Sequence, residues 1–83
     1  MKPLVSICIP NYNSERFIKQ TIKSALSQSY PNIEVIVCDN ASTDNSCNII
    51  KSFGKKIRRY RNKINIGQND NLNKCISLSK GKY

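Results

Sequence analysis

The chain has 83 residues, 14 Lys and Arg against 5 Asp and Glu, a formal net charge of +9 and a hydrophobic fraction of 39%. Folding a chain this short buries only about 60–65% of its unfolded surface, so the core is thin and there is room for one domain at most. The charge invites an anionic partner: nucleic acid, phospholipid or a phosphorylated ligand.

Several chemistries are excluded at once. There is no His, so no His-based triad, proton shuttle or His-ligated metal. Glycine occurs only at Gly54, Gly67 and Gly81. Neither G-x-G-x-x-G nor G-x-x-x-x-G-K-S/T can be written from those positions, so no standard glycine-rich phosphate loop is present. Cys8, Cys38, Cys47 and Cys75 form no C-x-x-C. They read as buried free thiols of a reducing compartment rather than as disulfides or a zinc site. No apolar run is long enough for a transmembrane helix. No signal-peptide apolar region follows Met1-Lys2-Pro3, so a cytoplasmic location is expected.

Residues 4–9 are apolar and rich in β-branched side chains, ending at Pro10. They read as a buried strand. After the turn at Asn11-Tyr12-Asn13, residues 14–28 carry Phe17, Ile18, Ile22, Ala25 and Leu26 at amphipathic-helix spacing. Asn13 or Ser14 is the expected cap, Glu15 sits in the first turn, and Tyr30-Pro31 is the expected stop.

Residues 33–38 read as a second buried strand, closed by turn chemistry at Asp39-Asn40-Ala41-Ser42. Ser42 or Thr43 is the expected cap of a second helix with Cys47, Ile50 and Phe53 on its apolar stripe. Gly54 is its αL terminator. Residues 56–61, with Ile57 and Tyr60 as the only large apolar side chains, predict a basic edge strand. The loop from Asn62 to Gly67 leads to a third helix over 69–79. Leu72, Cys75, Ile76 and Ser79 mark one face of it, and Gly81 is its cap.

The order β-α-β-α-β-α with short connections predicts an α/β, Rossmann-like parallel sheet with right-handed crossovers. A three-stranded open sheet is a poor stopping point, so the expectation is that residues 1–83 are the N-terminal, nucleotide-binding portion of a single larger domain. In such sheets ligands bind at the carboxyl ends of the strands. Tyr12 offers a face for stacking on a base. Asp39 offers an acceptor to a base N–H or a ribose hydroxyl, and Asn13 caps a helix or donates to a ligand. The bland readings stand beside these. Asn11-Tyr12-Asn13 also fits a turn with a cap, Asp39 a turn residue bonding its own backbone, Asn65-x-Gly67 an αL turn, and Asn73 a solvated side chain.

At these same residues the sequence resembles the family-2 glycosyltransferases, which have the GT-A fold. Residues 5–46 and 65–83 carry P-x-Y-N after the first strand, S-x-L-x-Q-x-x-x-x-x-E at the first helix and second strand, D-D/N-x-S-x-D after the second strand, and N-x-G followed by G-x-Y. All four blocks in this order make a specific signal that covers nearly the whole chain.

The resemblance implies transfer of a sugar from a nucleoside-diphosphate sugar, a UDP-sugar first among them, to an acceptor hydroxyl with inversion. The setting it implies is cell-surface polysaccharide or glycolipid synthesis. Pro10, Tyr12 and Asn13 would line the nucleotide pocket, with Tyr12 against the base. Glu15 would line the same site, Asp39 and Asn40 would hold base or ribose, and Asn73 would face the nucleotide side of the cleft. The sequence departs from the family where Asn40 replaces a common second Asp, which bears on nucleotide preference, and where Leu72 replaces a common Arg. The family's acidic Asp-x-Asp motif, which binds Mg²⁺ or Mn²⁺, and its catalytic base would lie beyond Tyr83. Residues 1–83 are therefore expected to hold no metal and to catalyse no transfer alone.

The expected acceptor is a glycan or a lipid-linked carrier, with peripheral association at the inner face of a membrane. Two rival readings remain. Lys51 to Lys63 carries seven basic residues and no acid, as a nucleic-acid module would, but Tyr60 is the only aromatic inside the strand and no nucleic-acid signature is present, so no nucleic-acid partner is expected. A non-catalytic remnant of a transferase would have the same sequence.

Overall fold

In the computed structural model, which describes residues 4–29 and 31–80, three strands form one parallel sheet. They are β1 (Val5–Asn11), β2 (Ile33–Asp39) and β3 (Arg58–Arg61), in the order β1-β2-β3. Helices α1 (Ile18–Leu26), α2 (Ser46–Lys51) and α3 (Gln68–Leu78) alternate with them, and a single 3-10 turn spans Gly54–Lys56. The central strand β2 has an apolar side chain on both faces, as a strand covered on both sides requires. Val35 and Val37 face one way and pack with Ile9, Ile18, Ile22, Ala25, Ile50 and Ile57. Ile36 and Cys38 face the other way and pack with Cys75 of α3. Helices α1 and α2 thus cover one face and α3 the other.

Register follows from this alternation. Ile7 pairs with Val35 and Ile9 with Val37, so the apolar rows coincide. Pro10 continues β1 opposite Cys38 rather than ending it. The Val5 N–H donates to the Asn32 carbonyl, so the amides of alternate residues point toward β2 and position 10 faces away from it. Proline there removes no bond of the β1–β2 ladder.

The helices start later than the sequence predicts. The Ser14 carbonyl accepts both the Phe17 and Ile18 N–H groups at 2.9 Å, so a turn precedes α1. Its N-cap, Phe17, makes no side-chain cap bond. Phe17 is exposed instead of joining the apolar stripe, and Asn13 is committed elsewhere. Helix α2 begins at Ser46, whose N–H donates to Asp44 Oδ1 at 2.9 Å, rather than at a Ser42 or Thr43 cap. Gly54 does adopt a left-handed φ of +57°. The 3-10 turn that begins at Gly54 takes in Lys56, the first residue predicted for the third strand, which starts at Arg58. Tyr30 and Gly81, the expected stop and cap, lie outside the described residues.

All four cysteines are free, with Cys38 and Cys75 buried. At the amino end of the sheet, Glu34 accepts from Arg58 at 2.6 Å and from the Lys80 N–H at 2.7 Å, and the Ser6 hydroxyl also donates to it. Burial opposes that charge. The bonds from Ser6, Lys80 and Arg58 outweigh it and hold the carboxyl down to about 2.

Candidate functional site: an amide-walled cleft at the strand ends

The carboxyl ends of β1 and β2 and the N-terminus of α3 surround a cleft of about 460 Å³. Its lining comprises Pro10, Asn11, Tyr12, Ser14, Asn40, Asn65, Gly67, Gln68 and Asn71, with no carboxylate, thiol or ammonium group among them. The walls are built by asparagine side chains that bond one another.

Asn40, only 2% exposed, is the centre of this network. Its Oδ1 accepts from Asn62 Nδ2 at 3.0 Å and from the Ile66 N–H at 2.9 Å. Its Nδ2 donates to Asn65 Oδ1 at 2.9 Å and to the Gly67 carbonyl at 3.3 Å. All four hydrogen-bonding positions of the amide are used. Asn62 Nδ2 also donates to Asn71 Oδ1 at 2.9 Å, and Asn71 Nδ2 donates to the Cys38 carbonyl at 2.9 Å. Lys74 donates to Asn62 Oδ1 at 2.6 Å. The loop from Asn62 to Gly67 is thereby tied to β2 and α3. Gly67 completes it with φ +89° and ψ 156°, a combination open to glycine.

Asp39 is the neighbour of Asn40 but faces the opposite side of the sheet. It is 2% exposed. Oδ1 accepts from Asn11 Nδ2 at 2.8 Å and from the Ser42 hydroxyl. Oδ2 accepts from the Ser42 N–H at 3.0 Å and the Cys47 thiol at 3.3 Å, with Arg61 Nε at 3.7 Å. Burial works against its charge. The Ser42, Asn11 and Cys47 bonds prevail and lower its pKa from the ordinary carboxylate value. The side chain is spent on its own turn, whose next-but-one residue, Ala41, is held at φ +59°.

Asn13 sits at φ +47° and clamps two loops together. Its N–H donates to Ser42 Oγ at 2.9 Å, and its Oδ1 accepts from the Thr43 N–H at 2.8 Å and the Asp44 N–H at 3.3 Å. The Glu15 N–H donates to Asp44 Oδ2 at 3.0 Å. The Glu15 side chain is exposed beside a second hollow that it shares with Asn13, Arg16, Phe17 and Asp44.

Of the residues expected at the site, the structure brings Pro10, Tyr12 and Asn40 to the cleft lining and places Asn13, Glu15, Asp39 and Asn73 outside it. Asn73 is exposed on α3. The inward asparagine is Asn71, four residues before the buried Cys75 and so on the same helix face. Asn73 is two residues from either, on the far side. Asn62, Gln68 and Asn71 were not singled out by the sequence. A polar stripe at i, i+4 on a helix that must cover Cys38 is the signal that could have found Asn71.

With the network saturated, the groups left to meet a ligand are few. Tyr12 is 48% exposed at the mouth. Among the described residues neither its hydroxyl nor the Gln68 amide has a hydrogen-bond partner. No group of three or more His, Cys, Asp or Glu side chains among the described residues is placed to hold a metal ion. A divalent cation does not fit this lining, which offers no carboxylate and in which the Asn40, Asn65 and Asn71 side-chain oxygens already accept hydrogen bonds.

This arrangement matches solved structures. One is the mannosyltransferase PcManGT from Pyrobaculum calidifontis, in complex with GDP-Man and Mn²⁺. It superposes with a TM-score of 0.85 at 24% identity, over 98% of this chain and 26% of that one. S. aureus TarS 1-349 in complex with UDP-GlcNAc matches with a TM-score of 0.84 at 28% identity, over 94% of this chain and 24% of that one. The fold is thus the Rossmann-like α/β arrangement of GT-A glycosyltransferases.

The sequence profile of Glycosyl transferase family 2 matches residues 6–83, and the chain belongs to that family. An uncharacterized glycosyltransferase of Rickettsia felis is 46% identical over 83 residues, covering 98% of this chain and 14% of that protein. The chondroitin synthase of Pasteurella multocida is 41% identical over 83 residues, covering 98% and 9%. The chain spans a small part of each of these relatives.

Proposed function

We propose that the cleft binds the nucleoside end of a nucleoside-diphosphate sugar, and that the protein to which these residues belong transfers that sugar to an acceptor hydroxyl. The carrying observation is Tyr12, half exposed at the mouth of an amide-walled cleft at the carboxyl ends of parallel strands. A ring in that position stacks on a flat base, and neutral amides suit a base edge and ribose better than a diphosphate. Gln68 is the free amide for the base or ribose. Pro10 and Asn40 shape the floor. Asp39 and Asn13 act one step back, holding the two loops that carry Tyr12 and Ser42. A UDP-sugar is the first donor to test, since TarS binds UDP-GlcNAc.

The reaction proposed is displacement at the anomeric carbon with inversion. The acceptor oxygen forms a bond to that carbon as the nucleoside diphosphate leaves, in synthesis of a polysaccharide or glycolipid. The acceptor is a glycan or a lipid-linked carrier on the cytoplasmic side. A divalent cation, Mg²⁺ or Mn²⁺, would be held outside the described residues.

The acidic residues here do not supply the base. Glu34 lies at the opposite end of the sheet, Asp39 is enclosed, Asp44 is engaged at the α2 start, and Glu15 and Asp70 lie outside the cleft lining. The 83-residue chain should therefore bind donor nucleotide and transfer no sugar. Titration of UDP and GDP into it by calorimetry tests the binding half. Saturable, base-selective binding that weakens about tenfold in Tyr12→Ala supports the reading, since base stacking on an aromatic is worth about 1–3 kcal/mol. Equal affinity in wild type and Tyr12→Ala contradicts it.

A further inference from the structure

The stretch from Lys51 to Lys63 is the strongest charged feature of the surface, and the cleft does not use it. Between Asp44 and Asp70 the sequence contains no acidic residue. Lys51, Lys55, Lys56, Arg59, Arg61 and Lys63 are all exposed. Two of the cations are already engaged. Arg58 is paired with Glu34 at 2.6 Å, and Arg61 lies 3.7 Å from Asp39 and donates to the Ser42 carbonyl at 3.3 Å. Among the described residues no ion pair or hydrogen bond engages the side chains of Lys55, Lys56, Arg59 or Lys63.

The alternation of β3 sorts this charge by face. Arg58 and Tyr60 pair with Ile36 and Cys38 and lie on the α3 side, while Arg59 and Arg61 pair with Val37 and Asp39 and lie on the α2 side. Tyr60 is therefore turned away from the unpaired cations. It packs with Cys38 and Cys75, its hydroxyl accepts from Arg58 at 2.6 Å, and the Arg58 guanidinium lies 5.5 Å from its ring centroid. The α2 side holds a small hollow of about 130 Å³ where Lys51, Arg59 and Arg61 converge beside Cys47 and the enclosed Asp39. Ile64, 70% exposed, follows Lys63 directly.

We propose that this face, from Lys51 through Arg59 to Lys63, docks on an anionic phospholipid bilayer, with the hollow between α2 and β3 taking a headgroup phosphate. Charge complementarity selects an anionic occupant. The chemistry of the face separates a bilayer from a nucleic acid. A single-stranded nucleic acid binds through aromatic platforms as well as cations, and the one aromatic of this strand is packed on the other side of the sheet. What remains is a set of exposed cations followed in sequence by an exposed isoleucine, the composition of a surface that attracts lipid phosphates and inserts one apolar side chain. This inference does not depend on the donor reading, because no residue of the face lines the cleft.

Co-sedimentation of the 83-residue chain with vesicles tests it. Binding to mixed phosphatidylcholine and phosphatidylglycerol vesicles should be strong and should fall with salt, while vesicles of phosphatidylcholine alone should bind little. Each cation removed from the face should cost about fivefold in partitioning, so the pair Lys55→Gln and Arg59→Gln should lose roughly 25-fold. The exposed α1 pair Lys19→Gln and Lys23→Gln removes the same charge and should lose less than about twofold if it stands off the lipid. Equal losses for the two pairs would show a response to net charge alone and overturn the proposal. So would binding to a short single-stranded RNA that exceeds binding to the vesicles and drops in the Lys55/Arg59 pair.

Discussion

The two faces of the sheet are made of different materials. Under α1 and α2 the contact is aliphatic: Ile22, Val35 and Val37 are at most 2% exposed, and Ile9, Ile18, Ala25, Ile50 and Ile57 close around them. Under α3 the buried side chains are Ile36, Cys38 and Cys75, continued toward the cleft by Asn71, Asn62 and Asn40. The Cys75 thiol donates to the Ile36 carbonyl at 3.5 Å, and its neighbour Cys38 together with burial raises its pKa. One face supplies hydrophobic stabilisation. The other trades it for directional bonds, which fix a loop in one geometry at a smaller gain per group. A cleft that must present Tyr12 and Gln68 in fixed positions is better built on the second kind of face.

Substitutions on each side sharpen that contrast. The largest effect is expected on the aliphatic face. Ile22→Ala removes a fully buried side chain from the middle of α1 and should cost about 3–4 kcal/mol, enough to populate the unfolded state of so small a chain in urea titrations.

Next comes the amide face. Asn40→Asp keeps the shape but sets a carboxylate against the Asn65 Oδ1 and Gly67 carbonyl, both of which now receive a proton. A loss of about 2–3 kcal/mol is expected. Nucleotide affinity should fall with it, and amide exchange should quicken first in residues 62–67. Uniform quickening along the chain would break the distinction between the faces.

The ion pair at the far end of the sheet gives a pH signature. Glu34 titrates near 2 when folded, below its ordinary value of 4.5. A depressed carboxylate adds stability above the unfolded value, and this is lost as pH falls from about 4.5 toward 2. About 2 kcal/mol should disappear over that window in urea midpoints, and Glu34→Gln should flatten the loss. The smallest effect is a gain. Ala41 holds φ +59°, and Ala41→Gly should relieve that strain for about 0.5–1 kcal/mol, read as a raised Tm.

The aliphatic half was the more legible in sequence. The β-branched runs of β1 and β2, the Ile18-Ile22-Ala25 spacing and the basic edge strand each carry a local signal, and the strand ends located the cleft. The polar half was harder to read because its partners are remote in sequence. Asn13 looks like a cap for the helix beside it, yet its bonds reach Thr43 and Asp44, about 30 residues away. Asp39 looks ligand-facing until strand parity turns it toward Cys47 and Arg61. On α3, Leu72 and Ile76 suggest the buried phase, but they border an apolar groove along β1. Asn71 and Cys75 face the sheet instead. Hydrophobic periodicity misreads a helix whose buried stripe is an asparagine and a thiol.

The central claim is that a nucleoside diphosphate meets the amide-walled cleft and not the basic face. Amide hydrogen exchange of the 83-residue chain, with and without UDP, tests it most directly. Protection at residues 10–14 and 65–71, with 51–63 unchanged, is the predicted result. Protection confined to 51–63, with the cleft residues exchanging as before, would show the diphosphate held by the lysines and arginines and would contradict the account.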